Sequence, residues 1–312
     1  MWQAGLVGRI SDRRQITRVT LVDEKGKAAS TSAQTGADSL TVEEPLEVRI
    51  SGRPVAITMR TPGHDFDLVA GFAWTEGLIT HADQLRDIRY CDGALAGTPG
   101  QRGSAAMARL PRVVGSLRPP SSFNIVELGL RDDAPEFEPE LARSFYTTSS
   151  CGLCGKASID AIRSQVQFQI HEGVPHVDAA TVSGLPAKLR AAQPVFDRTG
   201  GLHAAGLFSA AGDLLFVRED VGRHNAVDKL IGAALRDGRL PLSDRILMVS
   251  GRASFELVQK AVMAGIAVMA AVSAPSTLAV DLAAEAGMTL IGFVRGPSMN
   301  VYAHPSRLST LV

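Results

Sequence analysis

Two cysteines in a C-x-x-C spacing are the residues best suited to covalent chemistry in this 312-residue chain: Ser149-Ser150-Cys151-Gly152-Leu153-Cys154-Gly155-Lys156. Small and hydroxylated neighbours predict a mobile, exposed backbone just ahead of a helix. A thiol near a helix start with a lysine beside it has a lowered pKa, and the thiolate is the form that attacks sulfur. Four uses compete. A buried structural pair is at odds with the Gly and Ser neighbours. A zinc site needs two more ligands; the chain has no second C-x-x-C, although Cys91 with His203 or His224 could complete one in space. A thioredoxin-like redox pair belongs directly after a strand near the amino end of a βαβ unit. A sulfur carrier would take a terminal sulfur as a persulfide and pass it on, by the chemistry of thiol–disulfide exchange.

A second set of residues suits anions. Arg218-Glu219-Asp220-Val221-Gly222-Arg223-His224-Asn225, Ser250-Gly251-Arg252-Ala253-Ser254, Ser273-Ala274-Pro275-Ser276-Thr277 and Phe293-Val294-Arg295-Gly296-Pro297-Ser298 each follow a strand-like run. Helix N-termini present unpaired N–H groups, and arginine adds a forked donor matched to phosphate. Ser and Thr in such places are also ordinary N-caps worth about 1 kcal/mol each without any ligand. Neither G-x-x-x-x-G-K-[ST] nor G-x-G-x-x-G occurs, so neither a P-loop nor an NAD-type site is supported. Among the histidines, His224 stands between phosphate-friendly residues, and His203 fits a core position as well as a site. His64 reads as a cap or turn residue, and His81, His171, His176 and His304 read as surface residues. Cys91 reads as an inert strand end.

The elements that must position these residues follow from periodicity. Leu40 to Ile50 and Pro54 to Arg60 read as a hairpin about Ser51-Gly52-Arg53, followed by a helix with Phe66, Val69, Phe72 and Ala73 on one face. Met107 to Val114 reads as a strand, and Lys156 to about Val166 as a helix. From Leu202 onward, paired strands (Leu202 to Ser209, Leu214 to Glu219) lead into strand–helix units: helices near Asn225 to Arg236, Phe255 to Met263 and Thr277 to Ala286 alternate with strands Ile246 to Val249, Ala267 to Val272 and Thr289 to Val294. That alternation predicts an α/β domain with a substantial parallel part, whose ligands collect at the carboxyl ends of its strands. Residues 24–38 are small and polar and read as a linker.

Composition narrows the class. Apolar residues make up 45% and charged residues 21%, which excludes a disordered chain. Thirty-two basic residues balance thirty-two acidic ones, which argues against nucleic-acid wrapping. Three cysteines are too few for a disulfide framework, and no apolar run approaches the ~18 residues of a membrane span. The expectation is a cytoplasmic protein with no nucleic acid and no membrane as partner.

Taken together, the residues resemble those of the formate dehydrogenase accessory sulfurtransferase family, FdhD. The likeness rests on Glu43-Glu44-Pro45-Leu46, Arg60-Thr61-Pro62-Gly63-His64-Asp65, Cys151-Gly152-Leu153-Cys154-Gly155-Lys156, Thr199-Gly200-Gly201-Leu202-His203, the run from Arg218 to Lys229, Ser250 to Glu256, Ala274-Pro275-Ser276 and Gly292 to Gly296. The resemblance implies a sulfurtransferase that takes sulfur from a cysteine desulfurase. It would pass that sulfur to the molybdenum cofactor in its bis-guanine-dinucleotide form, for formate dehydrogenase. It implies Cys151 as the persulfide carrier with Cys154 assisting, and Phe293, Val294, Arg295, Gly296, Pro297 and Ser298 as cofactor-binding, helped by Arg223, His224 and Arg252. No permanent metal is implied, and a symmetric two-nucleotide ligand suggests a homodimer. The implied fold is α/β: a three-layer carboxyl-terminal domain of cytidine-deaminase-like type (149–312), a smaller α+β domain (39–148) and a flexible arm (1–38). The deaminase zinc signature itself is absent, with Ala205 standing where a glutamate would be needed.

Overall fold

The structure, a computed structural model, describes residues 9–22, 30–91, 123–135 and 166–309. Cys151 and Cys154, the expected helix from Lys156 onward and the expected strand at Met107 to Val114 lie outside the described residues.

The first described element is a two-stranded antiparallel ribbon, β1 (Ser11–Val22) with β2 (Ser30–Thr41), in register from Ser11 opposite Thr41 to Val22 opposite Ser30. This corrects the reading of 1–38 as a flexible arm and of 24–38 as a linker: residues 11–22 and 30–38 are strand. The cause is chemical. Gln15, Thr17, Thr20, Ser32, Thr35 and Ser39 leave neither face apolar, so the ladder forms without the alternation that betrays a half-buried strand.

A four-stranded sheet follows, built from β3 (Glu44–Ile50), β4 (Arg53–Arg60), β5 (Leu85–Tyr90) and β6 (Ile125–Leu130) in the order β4-β3-β6-β5. The β3–β4 turn places Ser51 at φ 51° and Gly52 at φ 74°, the left-handed pair that a tight hairpin requires. Between β4 and β5 runs α1 (Asp65–Thr75), buried on nearly every side.

The short β7 (Val177–Asp178) leads into α2 (Ala179–Ala191) and α3 (Pro194–Thr199). Neither helix was legible in the sequence. Pro186 inside α2 breaks the helical texture, yet the helix starts on Asp178, which accepts a hydrogen bond from Ala180 N at 2.9 Å. The first N–H groups of α3 are held by the Glu219 carboxylate, from Val195 N at 3.1 Å and Phe196 N at 2.8 Å. The end of α3 ties to the ribbon through Thr199 and Thr41, hydroxyl to hydroxyl at 2.8 Å.

The remaining chain alternates as expected: β8 (His203–Ser209), β9 (Leu214–Asp220), α4 (Arg223–Arg236), β10 (Arg245–Val249), α5 (Phe255–Met263), β11 (Val268–Ala271), α6 (Thr277–Glu285), β12 (Thr289–Arg295) and β13 (Ser298–Ala303). A last short strand, β14 (Leu308–Ser309), pairs with β7. The main sheet has the order β13-β12-β11-β10-β8-β9, with β10, β11 and β12 parallel and β8 antiparallel to both its neighbours. Strand alternation divides its two faces. Ala204, Phe208, Met248 and Ile291 pack on Val182, Leu185 and Leu189 of α2. Ala205, Leu207, Leu247 and Leu290 pack toward α4, α5 and α6.

The two sheets share one core, which runs from Leu46, Val48, Val126 and Leu128 through α1 to Leu230, Ile231 and Leu247. Its centre is the contact of α1 with α4 at Gly71 and Gly232. A Cβ on Gly71 would strike the Asp228 carbonyl and lie 2.9 Å from Gly232 N, and one on Gly232 would strike the Asp67 carbonyl. Backbone approaches backbone, and no side chain fits. Polar ties flank the contact: Lys260 Nζ lies 3.0 Å from Asp228 and 2.8 Å from Glu76, and Trp74 Nε1 donates to Met263 O at 2.9 Å. Gly71→Ala is expected to cost about 3 kcal/mol, because neither helix can retreat without opening the shared core. A lowered urea midpoint at unchanged slope would show this; an unchanged midpoint would refute the account of the contact.

Candidate functional site

Asp220, the last residue of β9, is fully buried and organises the loop that follows. Its carboxylate accepts from Thr61 N at 3.2 Å, Gly222 N at 2.8 Å and Asn225 Nδ2 at 3.1 Å, and pairs with Lys229 Nζ at 2.6 Å. Lys229 also donates to Thr61 O at 2.9 Å, and Asn225 donates to Met59 O at 2.8 Å. These bonds stitch the end of β4 to the start of α4. A second cluster does the same for the start of α1, where Arg60 donates twice to Asp65, at 3.1 and 2.9 Å. Tyr90 O–H donates to the same carboxylate at 3.0 Å, and burial followed by that carboxylate's charge pushes the phenol well above its usual range. Much of the Arg60–Asp65 and Arg218–Lys229 motif content is thus framework.

What the framework positions is one edge of the main sheet. The loops after β9, β10, β11 and β12 all open there, because these strands run the same way, and β8 begins there with His203. Main-chain bonds fasten the loops side by side: Ser250 N to Ala204 O at 3.0 Å, Ala253 N to Ala274 O at 3.2 Å and Phe293 N to Ser273 O at 3.2 Å. The Ser250 hydroxyl accepts from Ala204 N at 2.9 Å, and Ser276 caps α6 by accepting from Ala279 N at 3.3 Å.

Two groups of candidate residues line this edge. The first surrounds the start of α4. Arg223 is half-buried, and its Nε, wholly sealed from solvent, has no hydrogen-bond partner among the described residues. His224 Nε2 lies 3.5 Å from Ser254 Oγ and 3.7 Å from Glu256 Oε2. The nearby His224 imidazole is the main cause holding the Glu256 carboxyl down at about 2. His203 sits where a Cβ on Gly251 would lie 3.5 Å from its Nδ1. Burial, then the Arg223 charge, depresses its imidazole below the usual range, so it stays neutral near pH 7. Arg252 is exposed in the loop after β10.

The second group is at the end of β12. Phe293 adopts φ 51°, a left-handed conformation that a bulky residue holds only when its surroundings impose it. Arg295 donates from Nε to Val272 O at 3.3 Å, and its guanidinium lies 5.5 Å from the centre of the Phe293 ring. Arg295, Gly296, Pro297 and Ser298 are exposed. The Val294 side chain is buried in the core facing α2, so whatever Val294 offers a ligand is main chain. From the loop after β10 to the loop after β12 is two strand spacings, and from β9 it is four, which is about 10–19 Å between the two groups. Arginines therefore stand at both ends of a shelf longer than one phosphate.

Sequence reasoning missed Glu256, quoted only as part of a motif, and the structural duty of Asp220, Asn225 and Lys229. Buried polar side chains leave no periodic trace. Only their position at a strand-to-helix crossing could have drawn attention to them.

The architecture defines a mixed α/β protein whose candidate site is the loop-bearing edge of its larger sheet. The profile of the FdhD/NarQ family matches residues 41–309, and the chain belongs to that family. Proteins called sulfur carrier protein FdhD from Streptomyces avermitilis and Streptomyces coelicolor are 52% and 51% identical over 304 residues, 97% of this chain and 97% of each relative. A crystal structure described as that of a formate dehydrogenase accessory protein, from Desulfotalea psychrophila, shares the fold with TM-score 0.63 at 22% identity, covering 95% of this chain and 99% of the other. Among the described residues no helix is long and apolar enough to cross a membrane.

The charge environment of His203 is directly measurable. Its Cε1 proton is expected to titrate below 6.5 in NMR spectra, and in Arg223→Ala the midpoint should move upward, since removing a neighbouring cation favours imidazolium. A midpoint unmoved by that substitution would disprove the coupling.

Proposed function

We propose that this protein is a sulfur carrier that accepts sulfur on Cys151 and delivers it to a molybdenum cofactor carrying guanine dinucleotides, in the service of formate dehydrogenase. The observation that carries the ligand half of this reading is the shelf itself. Two arginine-bearing groups about 10–19 Å apart suit an extended, doubly charged molecule better than a single phosphate. Arg223 Nε, sealed and unpartnered among the described residues, is a donor awaiting an acceptor. The names of the relatives support the sulfur half.

The chemistry balances with thiols alone. The Cys151 thiolate attacks the terminal sulfur of a persulfide on a cysteine desulfurase; a new S–S bond forms, the donor S–S bond breaks, and the donor leaves as thiolate. Cys154 thiolate then attacks Cys151 Sγ. Hydrosulfide departs carrying the electron pair, and a Cys151–Cys154 disulfide remains, so the two thiols supply the two electrons that reduce the sulfane sulfur. A cellular dithiol reopens the disulfide. Arg223, His224, Arg252 and Arg295 would hold the substrate's phosphates during the exchange. A binding protein that only shields and escorts the cofactor is the second reading, favoured by how much of the site is anion-binding shelf.

Incubation with cysteine and a desulfurase should add ~32 Da per sulfur to the intact mass, localised to Cys151. Cys151→Ala should abolish that gain without altering the fold, and should leave formate dehydrogenase inactive in cells. Full loading of Cys151→Ala rules out the carrier. An active formate dehydrogenase with Cys151→Ala but not with Arg295→Ala selects the escort reading.

A further inference from the structure

We propose that Glu256 is the positioning residue of His224, holding the imidazole by Nε2 together with Ser254 and so leaving Nδ1 as the nitrogen that meets the ligand. The inference rests on the reading that this sheet edge takes a guanine nucleotide, and it assigns a role to a residue that touches no ligand itself.

Three observations converge. His224 lies in the first turn of α4 and Glu256 in the first turn of α5, on neighbouring loops, with Nε2 3.7 Å from the Glu256 carboxylate and 3.5 Å from the Ser254 hydroxyl. Ser254 occupies the N-cap position of α5 without accepting from its own helix, whereas Ser276 at the next crossing caps α6 in the ordinary way. The hydroxyl is thereby available to the imidazole. The Glu256 carboxyl is held below the usual carboxylate range, with His224 the principal cause. The other charged or titratable groups near this imidazole are Arg223, its neighbour on α4, and His203 from β8. Of these, only Glu256 is an acceptor within reach of Nε2. An imidazole whose one nitrogen is engaged by a carboxylate has its tautomer and ring plane set, as in carboxylate–histidine pairs that support metal sites and triads. At this edge the benefit is a hydrogen-bonding atom fixed before the ligand arrives.

A double-mutant cycle with guanosine diphosphate as probe, read by calorimetry on the full chain, tests this. His224→Ala should weaken binding about tenfold and Glu256→Ala about fivefold, but Glu256→Ala should add nothing in the His224→Ala background. Equal losses in both backgrounds would show that Glu256 acts independently and would overturn the proposal. In the nucleotide-free protein, long-range ¹H–¹⁵N spectra should show the His224 Nε2 resonance moving in Glu256→Ala; a stationary resonance overturns the proposal regardless of ligand. Should the wild-type protein fail to bind the probe while that resonance moves, positioning stands and the guanine-nucleotide reading falls.

Discussion

A buried ion pair sets the geometry on which the candidate site depends. Lys229 and Asp220 meet at 2.6 Å with almost no exposure. Removing two charges from water costs several kcal/mol per ion, and attraction alone rarely offsets it. Here the remaining capacity is used: Asp220 also accepts from Thr61 N, Gly222 N and Asn225 Nδ2, and Lys229 also donates to Thr61 O. Each of these partners lies either at the end of β4 or at the entrance to α4. The pair therefore contributes placement more than net stability. It specifies one distance between the small sheet and the first turn of the helix that carries Arg223 and His224, and a hydrophobic pair of equal volume would leave that distance free to vary. The glycine contact of α1 with α4 acts in the same sense, since two backbones in contact have no side chains between them to repack.

Around that scaffold, charge is distributed unevenly along the sheet edge. Near α4, a half-buried arginine, a neutral histidine and a histidine–carboxylate contact lie close together. At β12 the cationic group is exposed and rests over an aromatic ring. One end offers fixed, partly desolvated donors and the other a solvated arginine beside a conformationally forced phenylalanine. Electrostatic interactions at the first end are stronger for each contact because water screens them less.

Which parts were legible in the sequence follows from the same physics. Strands and helices from β8 to β12 were readable to within a few residues because buried apolar side chains recur with the period of the backbone. The helix Phe255–Met263 was located to the residue. The β1–β2 ribbon was not recognised as a strand pair, since polar side chains stand on both of its faces and its backbone pairing has no sequence period of its own. The helix Ala179–Ala191 hid behind Pro186, whose cost is borne by the burial of Val182, Leu185 and Leu189. At the site, Arg223, His224 and the Arg295 loop were recognisable by residue type at strand ends. Glu256 was not, because its significance lies in a neighbour thirty-odd positions away, and a single sequence holds no record of that proximity.

The Glu219 carboxylate holds the opening N–H groups of α3, and the last residue of that helix grips the base of the ribbon through paired threonine hydroxyls. Glu219 immediately precedes Asp220. Tilting the ribbon therefore pulls, through one short helix and two sets of hydrogen bonds, on the main chain next to the central carboxylate. The ribbon is coupled in this way like a handle to the sheet edge that carries the candidate site, and a force applied to it would strain the residues from which α4 begins.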